Sequence, residues 1–522
     1  MEPDWKNLPA PTFGEVIREH ARERGNSIAL RYGDRTTTYA QFDALTDRIA
    51  NALLREGSPG DRIAYLGKNS DIAVALILGA AKAGMVLVPV IWRLAPPEIA
   101  YILSDSTAGL LFVDHELAAQ AAAIDGLNAR VIQTEGDPAQ AGWPSFEAWL
   151  GDAPATPPAA HVDADQALLQ IYTSGTTGRP KGAVLSHANA TRYRKVIKAS
   201  GLEWLSSDPG ETALLAMPFG HIAGAGQALL ILHAAGEMII HREFDPGATL
   251  EAIEAHGLKR LFLVPAALQI MLAHPRAATT DFSSLGYFSY GASPIPVPLL
   301  EAGMARLGCQ FMQVYGMTET WGGVVALPPE DHDPARRHLL SSAGKAMPGV
   351  ELRIRGSDGE LLGPGETGEV EVRSPANLLG YWQLEEATRA VLSDDGWLKT
   401  GDAGMLDAEG YLYIQDRIKD MIITGAENVY PAEVESVIYG HPQVADVAVI
   451  GVPDPKWGES VKAIVVAKPG TNPDAAGIIA WTRARIAAYK TPKSVEFIAA
   501  LPRNASGKIL RRELREQYSK PV

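Results

Sequence analysis

YTSGTTGRPKG, Tyr172 to Gly182, crowds hydroxyls, glycines and one lysine into a short segment. Gly175, Gly178, Pro180 and Gly182 permit tight turns and leave backbone N–H groups exposed, while Thr173, Ser174, Thr176 and Thr177 add hydroxyl donors and Lys181 a cation. That donor set suits a nucleotide polyphosphate. The Walker A pattern is absent, because only Thr176 and Thr177 separate Gly175 from Gly178, and Gly182 follows Lys181 where that pattern needs Ser or Thr. A P-loop NTPase is therefore disfavoured. On this segment alone, a plain Ser/Thr/Gly surface loop stays open as the alternative.

Outward from the loop, helix-period and strand-like apolar segments alternate: Phe13 to Arg24, Tyr39 to Glu56, Arg62 to Leu66 and Ile72 to Ala83. The same rhythm returns at Leu214 to Met217, Glu237 to His241 and Arg260 to Val264. This predicts an α/β fold of layered α/β subdomains, much of it parallel sheet covered by helices. Past Val350 the period shortens to two in VELRIR and GEVEVRS, with turns at 357–359 and 363–368, which predicts a smaller antiparallel β unit. Beyond DRIKDMI, short strands (Val444 to Ile450, Val461 to Val466) alternate with helices (Ala432 to Tyr439, Ala475 to Tyr489) and predict a separate small α+β domain. The expected division is a large N-terminal domain over 1–417 and a small mobile C-terminal domain over 418–522, hinged near Lys419.

The 522 residues fit about three units of roughly 150 residues. A net charge of −14 excludes nucleic acid as the expected partner, since backbone phosphates call for clustered Lys and Arg. The single Cys309 excludes an intrachain disulfide, fits a reducing cytoplasm and reads as a small buried hydrophobe. MEPDWKNLPAP carries neither a basic region nor an apolar run, and the apolar stretch from Ile72 to Trp92 is broken by Lys82, Gly79, Gly84 and Pro89, so it reads as core helix and strand with no transmembrane segment.

Six further segments follow the loop in order: YGASP (290–294), YGMTET (315–320), TGD (400–402), DRIKDMI (416–422), GAENVYPAEVE (425–435) and PRNASGK (502–508). Together they resemble the adenylate-forming superfamily of acyl-CoA synthetases, luciferases and peptide-synthetase adenylation domains over nearly the whole chain. PDPKWGE (453–459) and its surroundings look most like bacterial fatty-acyl-CoA synthetases. The resemblance implies ATP, Mg²⁺ and CoA, with a small-molecule carboxylic acid activated as acyl-AMP, pyrophosphate released and a thioester formed. A homodimer is an expectation carried by no particular residue.

By that resemblance Glu319 holds Mg²⁺, Thr318 meets phosphate and Tyr315, beside Gly316, faces adenine; chemically these are a hard oxygen ligand, a hydroxyl donor and a π-surface. Gly291, Ala292 and Ser293 complete the adenine pocket. Asp402 accepts the ribose hydroxyls, and Arg417 contacts the nucleotide from the domain junction. Lys508 bridges carboxylate and α-phosphate, where a compact cation offsets charge building on phosphorus. Lys419 matches the hinge, and Gly425 the glycine beside the pantetheine tunnel, although Ala426 stands where many relatives have a second glycine.

His221 lies within MPFGHIAG (217–224), in which Gly220 replaces the bulky residue that relatives place before the histidine. Two readings of Gly220 stand: relief of backbone strain, or a cavity enlarged for a branched, aromatic or polycyclic acid. Trp321, Gly322 and Gly323 supply the opposite wall. No acidic residue near Phe219 to His221 is placed to hold a substrate amine, which favours an acid without an α-amine. A fatty or fatty-like acid is the first expectation and an aryl or arylalkanoic acid the alternative; loading of a carrier protein stands behind both.

Overall fold

The computed structural model describes residues 4–136, 142–173, 179–424, 427–503 and 509–518. Two large sheets carry the N-terminal region. One has nine strands, running from Lys345–Ala346 through Val325–Leu327, Gln310–Tyr315, Tyr287–Gly291, Arg260–Leu263, Thr212–Leu215, Glu237–Ile240 and Ile28–Tyr32 to Arg35–Thr38. Its interior pairs are parallel and its margins antiparallel. The other has seven strands, Gly380–Tyr381, Lys181–Ser186, Ala167–Thr173, Val86–Val90, Arg62–Leu66, Leu110–Val113 and Arg130–Gln133.

Helices Phe13–Arg24, Tyr39–Leu53 and Asp71–Ala83 share one apolar core with both sheets. Asp71–Ala83 has no polar stripe: nearly every residue from Ala73 to Ala83 is buried, as a helix sandwiched between layers requires. Ser70 caps its first turn and Gly84, at φ 69°, ends it in the left-handed conformation. Lys82, the one charge on its inner length, is neutralised by Asp43 and by Asp47 at 2.7 Å. The stretch from Ile72 to Trp92 is thus core helix and core strand, and no helix among the described residues is long and apolar enough to cross a membrane.

The period-two segments form a four-stranded antiparallel sheet, Glu351–Arg355, Gly368–Arg373, Trp397–Leu406 and Leu412–Arg417. A further small sheet follows from Ile422, dominated by the long hairpin Val444–Asp454 and Gly458–Ala467, both longer than their apolar cores suggest because the pairing continues to the turn at Asp454 and Gly458. The helix expected over Ala475 to Tyr489 stops at Arg483, and a separate turn covers Ala488–Lys490. Thr482 Oγ1 bonds back to the Ile478 carbonyl, and Ile486 then leaves the helix to pack on the small core.

Candidate active site

Two strands flank the phosphate-type segment. Ala167–Thr173 and Lys181–Ser186 pair antiparallel, with Thr173 opposite Lys181 as the last ladder pair among the described residues. Ser174, Gly175, Thr176, Thr177 and Gly178 lie outside the described residues, as do Gly425 and Lys508. The base of the loop is held from below: the Tyr172 hydroxyl donates to Asp105 Oδ2 at 2.6 Å, and Tyr101 donates to the Pro180 carbonyl at 3.2 Å.

Two parallel strands, Tyr287–Gly291 and Gln310–Tyr315, end side by side, and the residues after them turn over their carboxyl ends, where open α/β sheets bind ligands. Two glycines make this approach feasible. A Cβ on Gly291 would stand 2.2 Å from the Val314 carbonyl oxygen, and one on Gly316 2.3 Å from that of Gly322. Ala292 follows at φ 67° and Ser293 is half-buried. Thr318–Thr320 forms a 3-10 turn that buries Glu319, at 5% exposure.

Glu319 Oε1 accepts from the Tyr381 hydroxyl at 2.9 Å and from Thr173 Oγ1 at 3.3 Å. Lys181 Nζ lies 5.1 Å from the centre of the Tyr381 ring. Tyr381 therefore joins the carboxylate to the base of the phosphate-type loop. Burial, reinforced by the Glu319 charge, holds its hydroxyl protonated far above neutral pH, so it remains a donor. Sequence reading missed Tyr381, because a tyrosine in NLLGYW carries no spacing signal; only the pairing of Gly380–Tyr381 onto Lys181–Ser186 brings it here. Both hydrogen bonds to Glu319 fall on Oε1, and Oε2 has no partner among the described residues. A carboxylate with one oxygen committed and one open fits a Mg²⁺ ligand.

A second cluster stands beside it. The Tyr315 hydroxyl donates to Asp402 Oδ2 at 2.6 Å, and Arg417 Nε meets Asp402 Oδ1 at 2.7 Å. Asp402 and Arg417 are direct register partners across the Trp397–Leu406 and Leu412–Arg417 strands. The antiparallel unit thus delivers carboxylate and guanidinium together to the end of the parallel sheet. Lys419 sits two residues further on, in the turn Ile418–Asp420.

His221 caps the amino end of helix Ile222–His233. Burial, with some help from Arg93, lowers its pKa to about 4, so the imidazole is neutral at pH 7, and its Nε2 has no partner among the described residues. Gly220 resolves differently from either expectation. A Cβ there would sit 2.9 Å from Ile91 Cα and 3.0 Å from Ile91 N, so the missing side chain is replaced by backbone just past the Val86–Val90 strand. It opens no cavity, and its φ is not in the left-handed range. Cys309 is half-buried, with its thiol pushed up to about 12 by burial, and is inert as a nucleophile at neutral pH.

The AMP-binding enzyme pattern matches residues 17–382, and the AMP-binding enzyme C-terminal domain pattern matches 433–508. The chain is 42% identical over 97% of its length to a fatty acid–[acyl-carrier-protein] ligase of Streptomyces coeruleorubidus, covering 96% of that protein. It is 42% identical over 95% of its length to a feruloyl-CoA synthase of Amycolatopsis, covering 97% of that protein. Among solved structures, ATP-bound MatB from Rhodopseudomonas palustris superposes with a TM-score of 0.87 at 32% identity, over 97% of this chain and 99% of that one.

Proposed function

This chain belongs to the AMP-binding enzyme family and is a ligase, and from that premise we propose that it activates a carboxylic acid without an α-amine as acyl-AMP and transfers the acyl group to CoA. One observation carries this reading: two independent clusters, Glu319 with Tyr381 and Lys181, and Asp402 with Tyr315 and Arg417, meet over the ends of the same parallel strands. Attack of a carboxylate on an α-phosphate brings two anions together, so a site for it needs cations and aligned donors in one place.

Thr173 and Lys181 would face the phosphates from the hairpin, with Thr318 on the opposite side. Asp402 would accept the ribose hydroxyls, held for that task by Tyr315 and Arg417. Mg²⁺, on Glu319 Oε2, would neutralise phosphate charge. His221, neutral at pH 7, would orient the acid at the mouth of its pocket, and Lys508 would supply the cation of the adenylation step. Lys419 would serve as the hinge and Gly425 as the tunnel glycine. A cytoplasmic setting and a role in lipid metabolism belong to the same reading.

A fatty or fatty-like acid is one substrate class. The aryl or arylalkanoic alternative rests on the Trp321 indole, stacked on Phe13 with centroids 6.4 Å apart, which would supply an aromatic wall for the acid. The test is pyrophosphate release across a panel of linear and aromatic acids, followed by AMP and thioester formation with CoA or a carrier protein as acceptor. CoA-independent product formation, or release of ADP, would defeat the reading.

A further inference from the structure

Trp321, two residues beyond Glu319, combines features that packing alone does not explain. Its φ of 53° lies in the left-handed region, which a bulky residue holds only where its surroundings impose it. The turn follows from Trp321 closing the Thr318–Thr320 helix: its N–H bonds to the Thr318 carbonyl and that of Gly322 to the Met317 carbonyl at 2.9 Å. The indole is thereby turned inward, 4% exposed, with one face stacked on Phe13 at an interplanar angle of 13°. Its Nε1 edge points at the helix that begins after His221, 3.9 Å from the position a Cβ on Gly226 would occupy. That Nε1–H is buried and has no acceptor among the described residues.

A buried indole N–H usually finds a partner, because an unmet donor costs more than the hydrogen bond would contribute. A phenyl ring at 321 would stack on Phe13 with no donor to satisfy. The orphaned donor lies near Gly226, early in the helix that His221 precedes, and its surroundings there are apolar: the Ile222 side chain stands 2.8 Å from where a Cβ on Gly226 would be and 3.8 Å from one on Gly322. His221 Nε2 is likewise buried without a partner among the described residues, and in the neutral ring it donates or accepts according to its tautomer.

We propose that Trp321 Nε1–H recognises an acceptor oxygen on the acyl part of the acid, distal to its carboxylate. The preferred substrate is then an oxygenated acid, bearing a hydroxyl, ether or keto oxygen on an aryl or similar rigid body, and an unsubstituted hydrocarbon chain is a poor one. This rests on the ligase reading and on its aromatic alternative.

The experiment compares ring-methoxy and ring-ethyl phenylpropenoic acids, matched in size, at the ortho, meta and para positions, by kcat/KM from pyrophosphate release. For at least one position the methoxy acid is favoured by about tenfold or more, and Trp321→Phe brings that ratio towards one. Equal rates for every pair in the wild type, or a ratio unchanged in Trp321→Phe, overturn the assignment. Should the variant fail to fold, the wild type labelled with ¹⁵N at its indole nitrogens is titrated with the non-hydrolysable acyl sulfamates of the preferred pair. One indole N–H resonance shifts downfield with the methoxy compound and not with the ethyl one; no such difference overturns the assignment. Pyrophosphate release without discrimination refutes the donor role alone, whereas absence of release with every acid in the wider panel refutes the ligase reading as well.

Discussion

At the scale of single residues, Glu319 is the position where chemistry and packing meet. Its Oε1 is held by Tyr381 and Thr173, so Glu319→Gln preserves shape and removes the charge. We expect unchanged folding and a fall in pyrophosphate release of about 10² or more, the scale of one lost electrostatic contact, with a raised Mg²⁺ requirement. Normal release at limiting Mg²⁺ would contradict the assignment. Gly220 makes the opposite kind of case. A methyl group there meets Ile91 backbone, which moves less readily than a side-chain end, so Gly220→Ala should lower stability by about 1–3 kcal/mol and slow bulky and linear acids alike. Thermal midpoints and a two-acid assay check this; selective loss of bulky acids would restore the cavity reading.

At the scale of elements, the junction after Leu412–Arg417 is organised by charge. Asp416 accepts from the Arg417 N–H at 2.7 Å and from the Ala432 N–H at 3.1 Å, and Arg511 Nη1 lies 3.6 Å from it. Arg511 is also bonded to Glu435 at 2.8 Å, while Arg515 pairs with Asp420 at 2.9 Å. Burial pushes the Asp416 carboxyl up to about 6, outweighing the attraction of Arg511. A raised folded-state value means that the folded protein keeps a proton the unfolded chain has lost. The contribution is therefore complete below about pH 4 and disappears as pH rises through about 6. Asp416→Asn lacks this term, so its thermal midpoint relative to the wild type should move upward between about pH 4.5 and about pH 7.5. A difference constant over that range would show that Asp416 does not titrate in the junction.

At the scale of the whole molecule, the proposed mechanism needs one small domain to present two different walls to one adenylate. In that reading Lys508 would belong to the first wall and the segment after Lys419 to the second. Lys508→Ala should depress acyl-AMP formation by about 10² or more while supplied acyl-AMP is still consumed with CoA. Lys419→Pro, by fixing φ in the Ile418–Asp420 turn, should do the reverse. Pyrophosphate release and CoA consumption from synthetic acyl-AMP read the two halves separately, and equal loss of both halves in both variants would refute domain alternation.

The layered α/β class, the antiparallel unit past Val350 and the family itself were legible in the chain, because apolar periodicity and short motifs are local properties that each segment carries with it. The helix end at Arg483 was not, since Ile486 answers to a core assembled from distant strands. Tyr381 was invisible for the same reason: its partner Glu319 lies 62 residues away and is reached only through strand pairing. Asp402 and Arg417 were readable as motif residues, but their direct pairing is a matter of register between two strands. Gly220 shows the limit most plainly. From sequence, a missing side chain means either strain or space, and the tertiary structure decides for neither, because Ile91, which is 129 positions earlier in the chain (220 − 91), already occupies the volume.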